Sequence, residues 1–245
     1  DLIGELSTRS EEFRRRWGYE LTDHLSELYG QVGDYCKVRH QYWRTVTDMF
    51  VEGYFKRVGQ WCREHDIKFS GHLMGEDTLN NQIAWTGAAM PCYQHMQLPG
   101  IDHLTMSLRW PSGKKFLLTP KQCSSVTSQM GIPEALAEIF GVSSQGITFE
   151  DRKQITQWMM VLGINYRCYH GAFYSIRGRR KRMYVPHLSH QQPWWSDNHV
   201  IAEPFSRLSY ALRRGTTRAD VLVIHPVESV MCLYDPTTMD RPHDR

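Results

Sequence analysis

Glu76 and Glu138 are the residues on which chemistry can turn, together with Asp77, His72 and His170. Each falls where an apolar run gives out. The run Ile67–Leu73 leads into Gly71-His72-Leu73-Met74-Gly75-Glu76-Asp77, Ala135–Phe140 carries Glu138 and stops at Gly141, and Ile164–His170 ends in Tyr169-His170-Gly171. If these runs are neighbouring strands, two Glu, an Asp and two His meet at one mouth. Two carboxyl groups in a cleft are what glycoside hydrolysis uses: one holds a proton for the leaving oxygen, and the other attacks or activates water. Glu76-Asp77 also suits the acidic first turn of a helix. Glu138 has fewer structural uses, because a carboxylate within an apolar strand is costly unless it is partnered.

Further residues fit a polyhydroxylated ligand. His170 and Tyr174 stand just beyond a strand, within reach of a hydroxyl. Gln191-Gln192-Pro193-Trp194-Trp195 sets adjacent indoles beside amides, and such rings offer an apolar face to sugar C–H groups while Gln192 reads hydroxyls. Packing of that loop onto the fold is the competing use. His187 and His190 have the H-x-x-H spacing but no helix and no third ligand, so no metal is expected there. The basic run Arg177-Gly178-Arg179-Arg180-Lys181-Arg182 reads as a solvated turn, with nucleic-acid binding as the weaker alternative.

The elements that must position these groups alternate. Trp43, Val46, Phe50, Tyr54, Val58 and Trp61 recur at helical spacing and predict a helix over 40–65. A strand over 67–73, a short helix over 77–85 and a strand over 101–106 follow. Thr119-Pro120 opens a helix that Gly131 ends, and Ala135–Phe140 is a strand. Thr148, with Asp151 three residues on, caps a helix that Gly163 ends. Ile164–His170 is a strand, and a long polar and aromatic loop runs from 171 to about 198. A helix over 200–214 and a strand over 219–225 complete the series. Helix–Gly–strand repetition means βα units and a parallel sheet. The expected architecture is the C-terminal portion of a (β/α)8 TIM-type barrel over residues 1–215, because long polar loops after strands are where barrel sites are built. A doubly wound sheet is the alternative. The apolar run after Arg214–Arg218 reads as the start of a second α/β domain over 219–245.

Composition narrows the function classes. With 29 Lys+Arg against 26 Asp+Glu the chain of 245 residues carries a formal charge of +3, too little to argue for nucleic acid. Hydrophobic residues make up 41% and charged residues 22%, an ordinary globular balance. No apolar run is long enough to span a membrane. The six cysteines are scattered without a C-x-x-C pair and read as free thiols. Asp1 at one end and MDRPHDR (239–245) at the other suggest an internal piece of a longer protein, so localisation and oligomeric state are open.

Seven stretches together resemble the α-L-rhamnosidase-like glycoside hydrolases, family 106 and its relatives. They are Phe13–Leu21 (FRRRWGYEL), Tyr42–Trp61, Ser70–Asp77 (SGHLMGED), Pro99–His103 (PGIDH), Ala137–Gly141 (AEIFG), Gly163–His170 (GINYRCYH) and Gln191–Trp195 (QQPWW). The resemblance implies a large bacterial carbohydrate enzyme with a catalytic (β/α)8 barrel and an amidotransferase-like domain beginning after Ala219. It also implies hydrolysis of a terminal sugar by two acidic residues, inversion, and an associated Ca2+ ion. Glu76 and Glu138 occupy the matching motifs. A non-catalytic carbohydrate-binding barrel is the alternative reading.

Overall fold

The structure is a computed structural model that describes residues 2–108, 116–235 and 237, with residues 2–7 as backbone alone. Asp1 and the terminal MDRPHDR lie outside the described residues. The helices are α1 (Leu2–Trp17), α2 (Leu25–Tyr29), α3 (Tyr35–Phe50), α4 (Lys56–Glu64), α5 (Leu79–Trp85), α6 (Ala89–Tyr93), α7 (Leu118–Met130), α8 (Phe149–Val161), α9 (His199–Leu212) and α10 (Val227–Leu233). The strands are β1 (Ser70–Gly71), β2 (Leu98–His103), β3 (Leu136–Ile139) and β4 (Tyr166–Tyr169). The chain divides into two compact units. The first comprises 1–65, 73–95 and 219–245, and the second comprises 66–72 and 96–218.

The first unit is helical. The helix expected over 40–65 begins earlier, at Tyr35, and a single π-helical turn over Val51–Phe55 separates α3 from α4. Trp43 of α3 packs with Ile83, Ala88, Met231 and Tyr234, while Phe13, Leu21, Leu28 and Val38 form a second apolar cluster. Arg39 joins the loops around α3. Its guanidinium is fully buried and donates to the carbonyls of Leu28, Gly30 and Leu233 at 3.0, 3.3 and 3.3 Å, with Asp235 3.6 Å away. A buried cation is tolerable only with such partners.

The second unit holds a four-stranded parallel sheet in the order β1-β2-β3-β4. Helix α7 links β2 to β3, and α8 links β3 to β4. Gly131 ends α7, and a full capping box of Thr148 and Asp151 starts α8. One face of the sheet is sealed: Ile101, His103, Ala137 and Ile139 are all buried. The strand expected over 101–106 lies instead at 98–103. Pro99 and Gly100 thus lie inside β2, and position 100 takes only a glycine. A Cβ at residue 100 would come within 2.5 Å of the Gly71 carbonyl oxygen.

The strand expected over 219–225 does not form among the described residues. Val221, Leu222, Val223 and Ile224 are 79–85% exposed, and the chain beyond them folds as α10, which packs against α3. An apolar run becomes a strand only where an edge offers it hydrogen bonds. Residues 214–224 are almost all exposed, so brief protease treatment of the chain should cut there and spare 136–169. Mass spectrometry of the fragments checks this, and first cuts between β3 and β4 would contradict it.

His103 supplies a second test. It is buried between Phe116 and Trp158, and burial pushes its pKa down from 6.5 to about 4. A depressed folded pKa contributes stability above the unfolded value that is lost as pH falls through the folded one. Relative to the wild type, His103→Gln should therefore gain roughly 3 kcal/mol on acidification from about pH 6.5 to about 4. Urea unfolding at both pH values measures the difference, and a pH-independent difference would refute it.

Candidate active site

The register of the parallel strands decides which side chains share a surface. Asp102 of β2 pairs with Glu138 of β3, and Glu138 pairs with Cys168 of β4. Side chains alternate along a strand, so these three lie on the face opposite Ile101, His103, Ala137 and Ile139. That face is the more open one. The Glu138 side chain is 26% exposed and Cys168 is exposed, while Asp102 is half-buried with its Oδ1 shut off from solvent.

His72 follows β1 directly. Its Nε2 lies 3.1 Å from Glu138 Oε2, the ring N–H donating to the carboxylate. The contact reaches across β2, the strand that carries Asp102. Burial is the largest influence on Asp102 and raises its pKa from 3.8 to about 6. The negative charge of Glu138 adds to the rise, while His72, His170 and the His103 amide oppose it. One carboxyl therefore keeps a proton to mildly acidic pH beside a carboxylate held by a histidine.

His170 closes the end of β4. Gly141 makes room for it, since a Cβ there would meet Leu104 Cδ2 at 2.6 Å and His170 Cγ at 3.1 Å. The ring packs edge-on to Phe173 and Tyr184, and its Nδ1 is buried without a hydrogen-bond partner among the described residues. Phe140, just past Glu138, is buried with φ +76°, a conformation an aromatic residue adopts only under constraint. The strand end beside Glu138 is thus over-determined by packing, which fixes where the carboxylate points.

Of the residues singled out in the sequence, the structure gathers His72, Glu138 and His170 around Asp102. Each of the others has its own surroundings. Glu76 belongs to the first unit, where it is buried and accepts from Tyr93 Oη at 2.5 Å and the Leu73 amide at 3.4 Å. Asp77 accepts from the Thr78 amide and from Asn81 Nδ2, at the start of α5. Tyr174 projects fully into solvent. Gln192 donates to the His187 carbonyl at 2.7 Å and to Gln145 Oε1 at 3.0 Å, bracing its own loop. Trp194 covers the buried guanidinium of Arg152 at 4.5 Å, opposite Phe149 at 4.6 Å. Trp195 keeps a partly exposed ring. His187 is buried and accepts from the Phe173 amide through Nδ1, while the side chains of the basic run 178–182 are exposed. Sequence reading passed over Asp102, although the rule that marked Glu138, a carboxyl within an apolar strand, applies equally to PGIDH.

Calcium takes six to eight oxygen ligands. Among the described residues no group of three or more His, Cys, Asp or Glu side chains is arranged to hold a metal ion. The contact of Glu138 is a ring nitrogen, a poor calcium ligand. The described residues do not fit a calcium site, and no chemistry below runs through one.

Comparison with known proteins bears on the whole chain. Residues 7–243 match the family model of glycoside hydrolase family 106, described as alpha-L-rhamnosidase. No curated protein sequence matches. Among solved structures the chain is similar to the rhamnosidase from Novosphingobium sp. PP1Y, with 19% identity and a TM-score of 0.69 over 85% of this chain and 20% of that one. At that identity the likeness is one of fold. The chain spans about a fifth of that protein's length.

The setting of Glu76 predicts a structural phenotype. Tyr93→Phe removes a buried donor from a carboxylate and should cost about 1–3 kcal/mol. Thermal or urea unfolding reads the loss, and unchanged stability would show that the Tyr93–Glu76 bond contributes nothing.

Proposed function

From the premise that the chain belongs to the α-L-rhamnosidase family of glycoside hydrolases, we propose that it carries part of the active site of a glycosidase, with Glu138 as its central acidic residue. The substrate is a glycan or glycoside with a terminal sugar, α-L-rhamnose in the first instance. The observation that carries this reading is the presentation of Glu138: on the open face of a parallel sheet, held by His72, beside a second carboxyl.

The chemistry follows from that placement. Cleaving a glycosidic bond builds positive charge at the anomeric carbon and negative charge on the leaving oxygen. A fixed carboxylate stabilises the first or takes a proton from the attacking water. His72 keeps the Glu138 carboxylate in one rotamer, so little reorganisation is needed when substrate arrives. His170 and the ring of Trp195 are available for sugar hydroxyls and C–H faces. Four parallel strands in sequential order, with helices in the connections, suit half of a (β/α)8 barrel. In that reading the face carrying Glu138 is the barrel interior and the loops after β3 and β4 form its mouth. Glu76 takes a structural role, since its carboxylate is engaged by Tyr93. The exposed run Val221–Ile224 is the feature that supports a further domain from Ala219 onward.

Glu138→Gln, in the longest protein that contains this chain, should lower kcat/KM on an aryl α-L-rhamnoside by roughly 10²–10⁴-fold. The unfolding midpoint should stay near the wild-type value. Undiminished turnover would remove Glu138 from the reaction. Tight sugar binding with no turnover in the wild type would favour the non-catalytic carbohydrate-binding barrel.

A further inference from the structure

We propose that Asp102 is a positioning residue for Glu138: it is the strand neighbour whose carboxyl is coupled across β2 to the His72–Glu138 pair, so that its ionisation sets the pH dependence of the site. The proposal rests on the reading of Glu138 as an acidic residue of a glycosidase.

The geometry carries the argument. Asp102 and Glu138 are register partners on adjacent parallel strands, about 4.8 Å apart in the hydrogen-bonding direction. Both point to the same face. His72 Nε2 reaches Glu138 Oε2 at 3.1 Å from the far side of β2, so the three groups form one patch over β1, β2 and β3. Among the described residues, the titratable groups that act on Asp102 include His72 after β1, Glu138 on β3 with Cys168 next to it on β4, and His170 after β4. His103, the neighbour on its own strand, faces the sealed side. Two carboxylates this close do not both ionise freely. Burial makes Asp102 keep its proton to a higher pH than an ordinary aspartate, with a pKa of about 6.

The consequence is a charge that switches beside Glu138. Below the ionisation of Asp102 the patch carries one negative charge fewer, and above it a negative charge stands on the strand next to Glu138. A residue that only packed the sheet would leave no such signature.

The test is a carboxyl-carbon NMR titration of the 245-residue chain, read for Asp102 in the wild type and in two variants that leave Asp102 in place. Glu138→Gln removes the like charge and should lower the Asp102 midpoint by on the order of one unit. His72→Gln removes the opposing cation and should raise it. In the longest protein, Asp102→Asn should remove the corresponding limb from the pH profile of kcat/KM on 4-nitrophenyl α-L-rhamnoside, with a smaller loss at the optimum than Glu138→Gln causes. An Asp102 midpoint in the ordinary carboxylate range, or one indifferent to both variants, would overturn the proposal. Because the first two variants report through Asp102 itself, misfolding of Asp102→Asn leaves the test intact. A wild-type protein without glycosidase activity would retire the function proposed above, while the titration would still decide the coupling.

Discussion

Two acidic side chains at matching positions on neighbouring parallel strands are the constraint on which this site depends. Register in a parallel sheet is not adjustable residue by residue, because a one-residue slip would turn every side chain to the opposite face. Here the sealed face is occupied by Ile101, Ala137 and Ile139, and their burial locks Asp102 and Glu138 onto the other side. The apolar half of each strand thus dictates that like charges stand together. Everything around them answers that demand: a histidine from the preceding strand, another beyond the next, and a partly open surface toward water.

The sheet stores opposed proton preferences in consecutive residues. Asp102 favours its protonated form, and His103 next to it favours its neutral, deprotonated form. Both shifts stem chiefly from burial, which penalises whichever form is charged. Their effects on stability run in opposite directions with pH and partly offset each other. In the helical unit burial of charge is handled differently. There three carbonyls and a carboxylate surround the buried guanidinium of Arg39.

Much of the frame was legible because it rests on local signals. The capping box at Thr148, the stop at Gly131 and the strands of β3 and β4 follow from side-chain types within a few residues. What escaped depended on partners distant in sequence. The start of β2 at Leu98 rather than Ile101 goes with the Gly71 carbonyl, which needs the space at Gly100. Trp194 looks like a sugar platform until Arg152, far back in the chain, is found beneath it. The family was readable from motifs that run the length of the chain. Asp102 sits within one of those motifs, but its importance comes from the residue beside it on the next strand, which sequence spacing does not display.

The run Val221–Ile224 has a consequence of another kind. It puts four consecutive apolar side chains in water on a segment that belongs to no sheet among the described residues. Three of the four are β-branched and the other is leucine, with neither proline nor charge among them. Such a ribbon is adhesive: two copies brought together can zip into a shared sheet and bury the stripe at little cost in order. Handling of the isolated chain is therefore governed by concentration as well as by folding. A single charged substitution on this ribbon would act on solubility without touching the carboxyl pair.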